Sequence, residues 1–264
     1  MMGGFSVTDE RRERIRYLLS EKPFVSLAEL CVMFPNVSDM TLRRDIEYFE
    51  KIGAAIKVRG GARSVKFISE TTEDTITSRM STHIEEKTKI GRAAARYLEA
   101  GRSIFFDAGS TVECTARFVP GERMTFTTTS PSVALELCRS GVHVVNIVGG
   151  RIDRDNLSVS GMYAMKYLDD MNIDIAFLSP TGLSLSGGFT CGNYSDCELK
   201  KLVAKKARTV VMLMDRTKID KTLPFTFCNM ADINILVTDA PLPEDIALLA
   251  KEAGCKVVDA TSRT

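Results

Sequence analysis

The segment Met40-Thr41-Leu42-Arg43-Arg44 sets two guanidiniums beside a thioether and a hydroxyl. Arginine forks onto the acceptor edge of guanine, Thr and Met pack on thymine methyls, and Ser38 or Thr41 can reach phosphate. Over residues 43–66, Arg43, Arg44, Lys51, Lys57, Arg59, Arg63 and Lys66 stand against Asp45, Glu47 and Glu50. Such a stretch draws a polyanion. A second set of residues lies far along the chain. Asp107-Ala108-Gly109-Ser110-Thr111 is small and hydroxyl-bearing, with a glycine that lets backbone N–H groups approach a phosphate. The same letters suit an ordinary strand-to-helix turn in which Ser110 or Thr111 is only an N-cap. Asp215-Arg216-Thr217-Lys218 pairs an acceptor for sugar hydroxyls with a cation for phosphate, or else forms a salt-bridged surface turn.

Metal and nucleophile chemistry have little material. The seven cysteines are scattered without a C-x-x-C pair and read as reduced thiols, and only His83 and His143 are available for a zinc site or a histidine-based triad. No metal, no cofactor and no catalytic residue is expected.

Short helices must present the first set. Ile15, Leu18 and Leu19 recur at helical spacing over residues 9–20, with Thr8 placed as the cap and Asp9 and Glu10 in the first turn. Ser26-Leu27-Ala28-Glu29 fits a capping box that opens a second helix, which Pro35 and Asn36 break. Ser38 then caps a third helix with Leu42, Ile46 and Phe49 facing inward. At a helical turn of about 100° per residue, Met40, Arg43, Arg44 and Glu47 point outward, with Thr41 on the flank. After Gly53, residues 54–58 read as a strand, Arg59-Gly60-Gly61-Ala62 as a tight turn, and Arg63 onward as the return strand. Such a hairpin is a wing, with Lys57, Arg59 and Arg63 at a phosphate ribbon or a minor groove.

Composition supports a soluble chain of two domains. Hydrophobic residues make up 44% and charged ones 26% of 264 residues, enough apolar surface for a sizeable core. Charge is uneven: residues 1–66 carry twelve Lys/Arg against nine Asp/Glu, and the rest 23 against 25. The longest apolar runs fall far short of the about 20 residues of a membrane span, and the start lacks a basic segment followed by an apolar one. A cytoplasmic protein that neither enters nor crosses a membrane is expected. The reading divides the chain into a winged helix-turn-helix over 1–66, a polar linker over 67–82 and an α/β domain over 83–264.

In that α/β domain a helix over 85–98 precedes strands near 103–106, 124–129, 142–148, 173–178, 209–214, 233–237 and 256–258. Such alternation predicts a largely parallel sheet covered on both faces. Ligands collect at the carboxyl ends of such strands, where the chain places Asp107–Thr111, Gly149-Gly150, Ser179–Gly182, Asp215–Lys218 and Thr238-Asp239.

The stretches V-S-L-A-E-L, V-S-D-M-T-L-R-R-D-I-E and V-R-G-G-A, in this order, resemble the N-terminal signature of the DeoR family of bacterial regulators. The turn Phe34-Pro35-Asn36-Val37 is longer by a residue than that family's commoner one. The resemblance covers nearly the whole chain: DAGST, Gly149-Gly150, Glu198-Leu199-Lys200 and Asp215-x-x-Lys218 match in order. It implies a ribose-phosphate-isomerase-like second domain that binds phosphorylated sugars. Effector contacts are then implied for Asp107, Gly109, Ser110, Thr111, Gly149, Gly150, Lys200, Asp215 and Lys218. Arg79 and Lys87 fall where the family has basic residues linked to effector response. In Ser179-Pro180-Thr181-Gly182 the family commonly has G-A-D-G, so Thr181 removes a carboxylate that would hydrogen-bond sugar hydroxyls.

The function expected is an operator-binding repressor of carbohydrate utilisation, switched by a sugar phosphate and acting on double-stranded DNA. One short winged helix reads few base pairs, so at least a dimer is expected. The competing reading is a sugar-phosphate isomerase with a DNA-binding appendage, for which Glu198 is the candidate base. A third is a nucleic-acid-binding architectural protein without an effector.

Overall fold

The computed structural model describes residues 7–22, 24–64 and 75–262. The chain divides into two compact units, Met1–Thr72 and Glu73–Thr264. Of the stretch expected as linker, residues 67–74 lie outside the described residues, as does Lys66, while Ile76–Ser81 is a helix of the second unit.

The first unit runs α1 (Val7–Glu21), β1 (Phe24–Ser26), α2 (Leu27–Met33), α3 (Asp39–Lys51), β2 (Ala55–Val58) and β3 (Gly61–Ser64). Thr8 lies inside α1 rather than capping it. Ile15, Leu18, Leu30, Leu42, Ile46 and Phe49 form one core, each such side chain contributing about 1.5–3 kcal/mol on burial. Ser26 caps α2, its Oγ accepting from Glu29 N at 3.0 Å. The box is only half formed, because the Glu29 carboxylate takes the Lys22 ammonium instead of reaching back. Ser38 caps α3 through Thr41 N at 3.3 Å.

Register corrects the turn of the wing. Val58 pairs with Gly61, so Arg59-Gly60 alone makes the reversal and Gly61 and Ala62 already belong to the return strand. Gly60 takes the left-handed backbone, at φ +89°. Gly61 is required for another reason: β1 adds to the outer side of β3, and a Cβ there would collide with the Val25 carbonyl oxygen.

The second unit opens with α4 (Ile76–Ser81) and α5 (Ile84–Ala94). Its sheet comprises β4 (Ser103–Phe106), β5 (Thr125–Thr128), β6 (Val144–Ile147), β9 (Ile173–Leu178), β12 (Ala207–Leu213), β14 (Ile235–Thr238) and β15 (Lys256–Asp259). The order is β15-β14-β12-β9-β4-β5-β6, every pairing parallel. α5, α6 (Ser110–Ala116) and α7 (Pro131–Cys138) cover one face through Ile90, Val112 and Val133, which meet Phe106 and Phe177. α8 (Met162–Asp169), α9 (Tyr194–Lys206) and α10 (Glu244–Glu252) cover the other through Leu168, Leu199 and Ile246, which meet Phe105 and Met212. Two pieces were not anticipated. A hairpin, β7 (Arg151–Ile152) with β8 (Val159–Ser160), follows β6, and β10 (Gly182–Ser184), β11 (Gly188–Cys191) and β13 (Phe225–Cys228) form a small antiparallel sheet.

The strand order positions the site. β5 and β6 are laid down on one side of β4, and β9 onward on the other. The chain therefore changes direction between β4 and β9, and the loops leaving their carboxyl ends diverge into a crevice. Those loops are Asp107–Thr111 and Ser179–Gly182.

Candidate functional site

On α3, Arg43, Arg44 and Glu47 are exposed, Met40 is 63% exposed and Thr41 is half-buried. Asp45, counted with the acidic residues of this stretch, is buried and points to α1, accepting from Arg11 Nε at 2.6 Å and Arg12 Nε at 2.9 Å. Its charge is cancelled internally, which leaves the outer face of α3 more positive than the sequence sum. The Arg12 guanidinium also lies 3.8 Å over the Tyr48 ring. Lys57 does not stand free at the wing. Its Nζ donates to Glu47 Oε1 at 2.6 Å and its backbone N–H to Glu50 Oε1 at 3.0 Å, which ties β2 to α3. The Lys57 hydrogen bond holds the Glu47 carboxyl below the usual range. Arg59, in the turn, and Arg63, on β3, are exposed.

At the crevice Asp107 is buried, and its Oδ2 accepts from Ser179 N at 3.1 Å and from the Lys200 ammonium. Lys200 is also buried, donates to Ser179 O at 3.1 Å and has Asp196 Oδ2 at 3.5 Å. Burial opposes the charge on Lys200, but the Asp107 and Asp196 carboxylates outweigh it and hold the ammonium above the ordinary lysine range. This group is a lock between the two switch-point loops and α9. Gly109 belongs to it, because a Cβ there would come 2.8 Å from Ser179 Oγ. Neither Ser110 nor Thr111 is an N-cap: both are buried, and the residue before α6 is Gly109.

A second group faces the side covered by α5. Asp215 is fully buried at the end of β12. Its Oδ1 accepts from Thr217 N at 3.0 Å and from the Thr217 hydroxyl, which caps the turn internally, while exposed Arg216 of the same turn pairs with Asp239 at 4.0 Å. Asp215 Oδ2 is buried with no hydrogen-bond partner among the described residues, an expensive arrangement for a carboxylate. Lys87 is buried nearby. Burial pushes its ammonium down, Asp215 opposes that, and Lys218 and Arg79 add to it. Lys87 Nζ donates to the Arg79 carbonyl and, at 2.8 Å, to the Thr82 carbonyl at the end of α4. Arg79, itself buried, donates to Asn156 Oδ1 at 2.9 Å.

Sequence reasoning missed the loop between β7 and β8. It meets α4 through Asn156 and through Asp155 O, which accepts from Ile76 N at 2.7 Å, and it meets α9's cap through Asp153, which accepts from Asn193 Nδ2 at 3.1 Å. Polar residues at the tip of a short hairpin carry no period that would have revealed this. Gly149 and Gly150 lead into that hairpin from the edge strand and line a groove with Arg151, Met162 and Tyr163. Thr181 is buried, and its N–H donates to Thr190 O at 2.9 Å. Glu198 is paired with Lys201 at 3.0 Å. Among the described residues no cluster of His, Cys, Asp or Glu has a metal-binding arrangement, and no helix is long and apolar enough to cross a membrane.

The chain matches the DeoR-like helix-turn-helix domain over residues 11–67 and the DeoR C-terminal sensor domain over residues 82–240. It is 33% identical over 246 residues to the HTH-type transcriptional regulator IolR of Bacillus subtilis, covering 91% of this chain and 94% of that protein. It is 30% identical over 255 residues to the HTH-type transcriptional regulator GlpR of Haloferax volcanii, covering 96% and 98%. Among solved structures it is similar to ribose 5-phosphate isomerase A from Methanocaldococcus jannaschii, with TM-score 0.39, 18% identity, and coverage of 52% of this chain and 55% of that chain.

Proposed function

The chain belongs to the DeoR family of DNA-binding transcriptional regulators, and on that premise we propose a repressor of a carbohydrate-utilisation operon whose grip on its operator is set by a phosphorylated sugar. It works in the cytoplasm, as a pair on a repeated site. α3 enters the major groove with Ser38, Met40, Thr41, Arg43 and Arg44 foremost, and the wing adds Arg59 and Arg63 at phosphate. Lys57 supports the wing by its hold on Glu47. The observation that carries the effector half is the buried Asp215 Oδ2, an acceptor without a hydrogen-bond donor among the described residues, whose charge acts on the Lys87 ammonium as do those of Lys218 and Arg79. A ligand with both hydroxyls and a phosphate fits that setting, its hydroxyl donating to Asp215 while its anion joins the field of Lys87. Asp107, Gly109 and Lys200 shape the crevice floor, with Ser110 and Thr111 beside it. Gly149 and Gly150 act through the hairpin they launch.

The test combines thermal shift with a panel of sugar phosphates and their unphosphorylated sugars, then operator retardation with any hit. A ligand that binds only the folded chain raises its melting temperature. Phosphorylated members are expected to shift it and to change operator affinity; a response to unphosphorylated sugars alone would overturn the anion reading. Arg43→Ala with Arg44→Ala is expected to weaken operator binding by about 1–3 kcal/mol for each bidentate arginine–base pair removed, with melting unchanged. Retained affinity for the DNA upstream of its own coding region would remove α3 from the groove.

A further inference from the structure

The sheet ends in two strands of opposite character. At one edge β15 reads Lys256-Val257-Val258-Asp259, with Lys256 exposed. Charges on an edge strand guard it against pairing with another chain. At the other edge the run from Val142 to Gly150 is Val-His-Val-Val-Asn-Ile-Val-Gly-Gly, without an acidic residue, lysine or arginine. Burial pushes the one titratable group in it, His143, toward the neutral form.

β6 pairs with β5 alone. Val144 N donates to Met124 O and Val148 N to Thr128 O, so strand alternation turns the N–H and C=O groups of Val145 and Ile147 outward. Val144 and Ile147, on opposite faces of the strand, are 38% and 49% exposed, and Val142, two residues before Val144, is exposed too. Past the strand, the groove of Gly149, Gly150 and Arg151 continues the surface to the exposed side chains of Met162 and Tyr163.

We propose that β6 is the surface through which two copies of this chain pair, the strands running antiparallel about a two-fold axis so that two seven-stranded sheets become one. The inference rests on the reading above that the chain acts as a pair, and adds where the pair is made. A second copy is the occupant that the outward groups fit. A two-fold contact sets the same run against itself: the N–H and C=O groups of Val145 and Ile147 complement their own copy when antiparallel, and no charge within Val142–Gly150 is brought against itself. The register follows from the outward groups. Val145 opposite the second copy's Ile147 uses both outward residues as hydrogen-bonded pairs and sets Asn146 opposite itself in the narrow position, with Cα atoms about 4.5 Å apart. A disulfide fits there, since its Cα atoms lie about 4.4–6.8 Å apart.

Sedimentation velocity on the full chain without DNA tests this. Wild type is expected as a dimer, and Val144→Lys with Ile147→Lys as a monomer with unchanged melting, because both positions are already exposed within one copy. In a Cys138→Ser background, which removes the exposed thiol, Asn146→Cys is expected to give a reducible cross-linked dimer on mild oxidation and Lys256→Cys none. The cross-link decides the matter should the double-lysine variant fail to fold. Wild type sedimenting as a monomer throughout would overturn both the surface and the expectation of a pair. A dimer that persists in the folded double-lysine variant, with no Asn146 cross-link, would overturn the surface alone and leave pairing to another face.

Discussion

Lys200 carries its charge into the interior on the strength of two carboxylates, Asp107 and Asp196. Its pKa is raised above the ordinary value. A raised lysine contributes stability that is fully present below the unfolded pKa and is lost only as pH climbs through the folded one, so the lock holds across the physiological range. Lys200→Met leaves both carboxylates buried without a cation. A loss of about 3–5 kcal/mol is expected, read from the denaturant midpoint. Unchanged stability with a lost effector response would instead make Lys200 a direct ligand. Asp45 follows the same logic at α3, where Arg11 and Arg12 surround it. Its burial explains why a tally of charges along the sequence underestimates the basic character of that helix.

The elements that close the core were the most legible. Alternating or continuous apolar runs such as Ser103–Phe106 and Ile173–Leu178 became strands at the expected positions, because burial on both faces of a parallel sheet leaves little freedom. The short pieces were not legible. β1 is three residues long and exists only because β3 offers it an edge, a tertiary cause that no local period records. The same holds for β10, β11 and β13, whose antiparallel pairing depends on where β9 and β12 deliver their loops. In the site, Asp107 and Asp215 were visible as residues at strand ends. That one is locked by Lys200 while the other keeps an unused oxygen depends on helices from opposite faces of the sheet. Gly61 gives an element-scale test. Gly61→Ala is expected to separate β1 from β3 and lower the melting of the winged unit, because the added methyl meets the backbone oxygen of Val25 and no flexible side chain can yield. Gly53→Ala is the comparison: its φ is +73° but open space surrounds it, so it costs only the left-handed strain of roughly 1–2 kcal/mol. Equal melting of Gly61→Ala and wild type would refute the close approach.

At the scale of the whole molecule, an effector shifts an equilibrium only by as much as it binds one arrangement better than another. On the function proposed above, Lys87 supplies a place for that difference. It holds the carbonyls of Arg79 and Thr82, at the end of the first helix after the connection from the winged unit, and the Asp215 charge acts on it. An effector anion bound beside Asp215 would compete for the same ammonium and loosen its hold on α4. The sign of the pH dependence follows. The groups that act on Lys87 are Asp215, Lys218, Cys114 and Arg79, and burial keeps its pKa below the usual 10.5, while Cys114 is pushed up by its own burial. The second ionisation of a phosphate monoester lies near pH 6, so by about pH 8 the ligand's charge is constant and its own titration no longer contributes. Only protonated Lys87 attracts it. Effector affinity is therefore expected to fall as pH rises through the lowered lysine pKa, earlier than an ordinary lysine would allow, whereas effector-free operator affinity follows a different curve. The measurement is a pair of titrations, ligand by calorimetry and operator by retardation, at intervals from neutral to alkaline pH. Lys87→Arg keeps its charge throughout and is expected to flatten the ligand profile. A flat wild-type profile, or the same slope in Lys87→Arg, would place the effector's anion away from Lys87 and leave α4 uncoupled from the crevice.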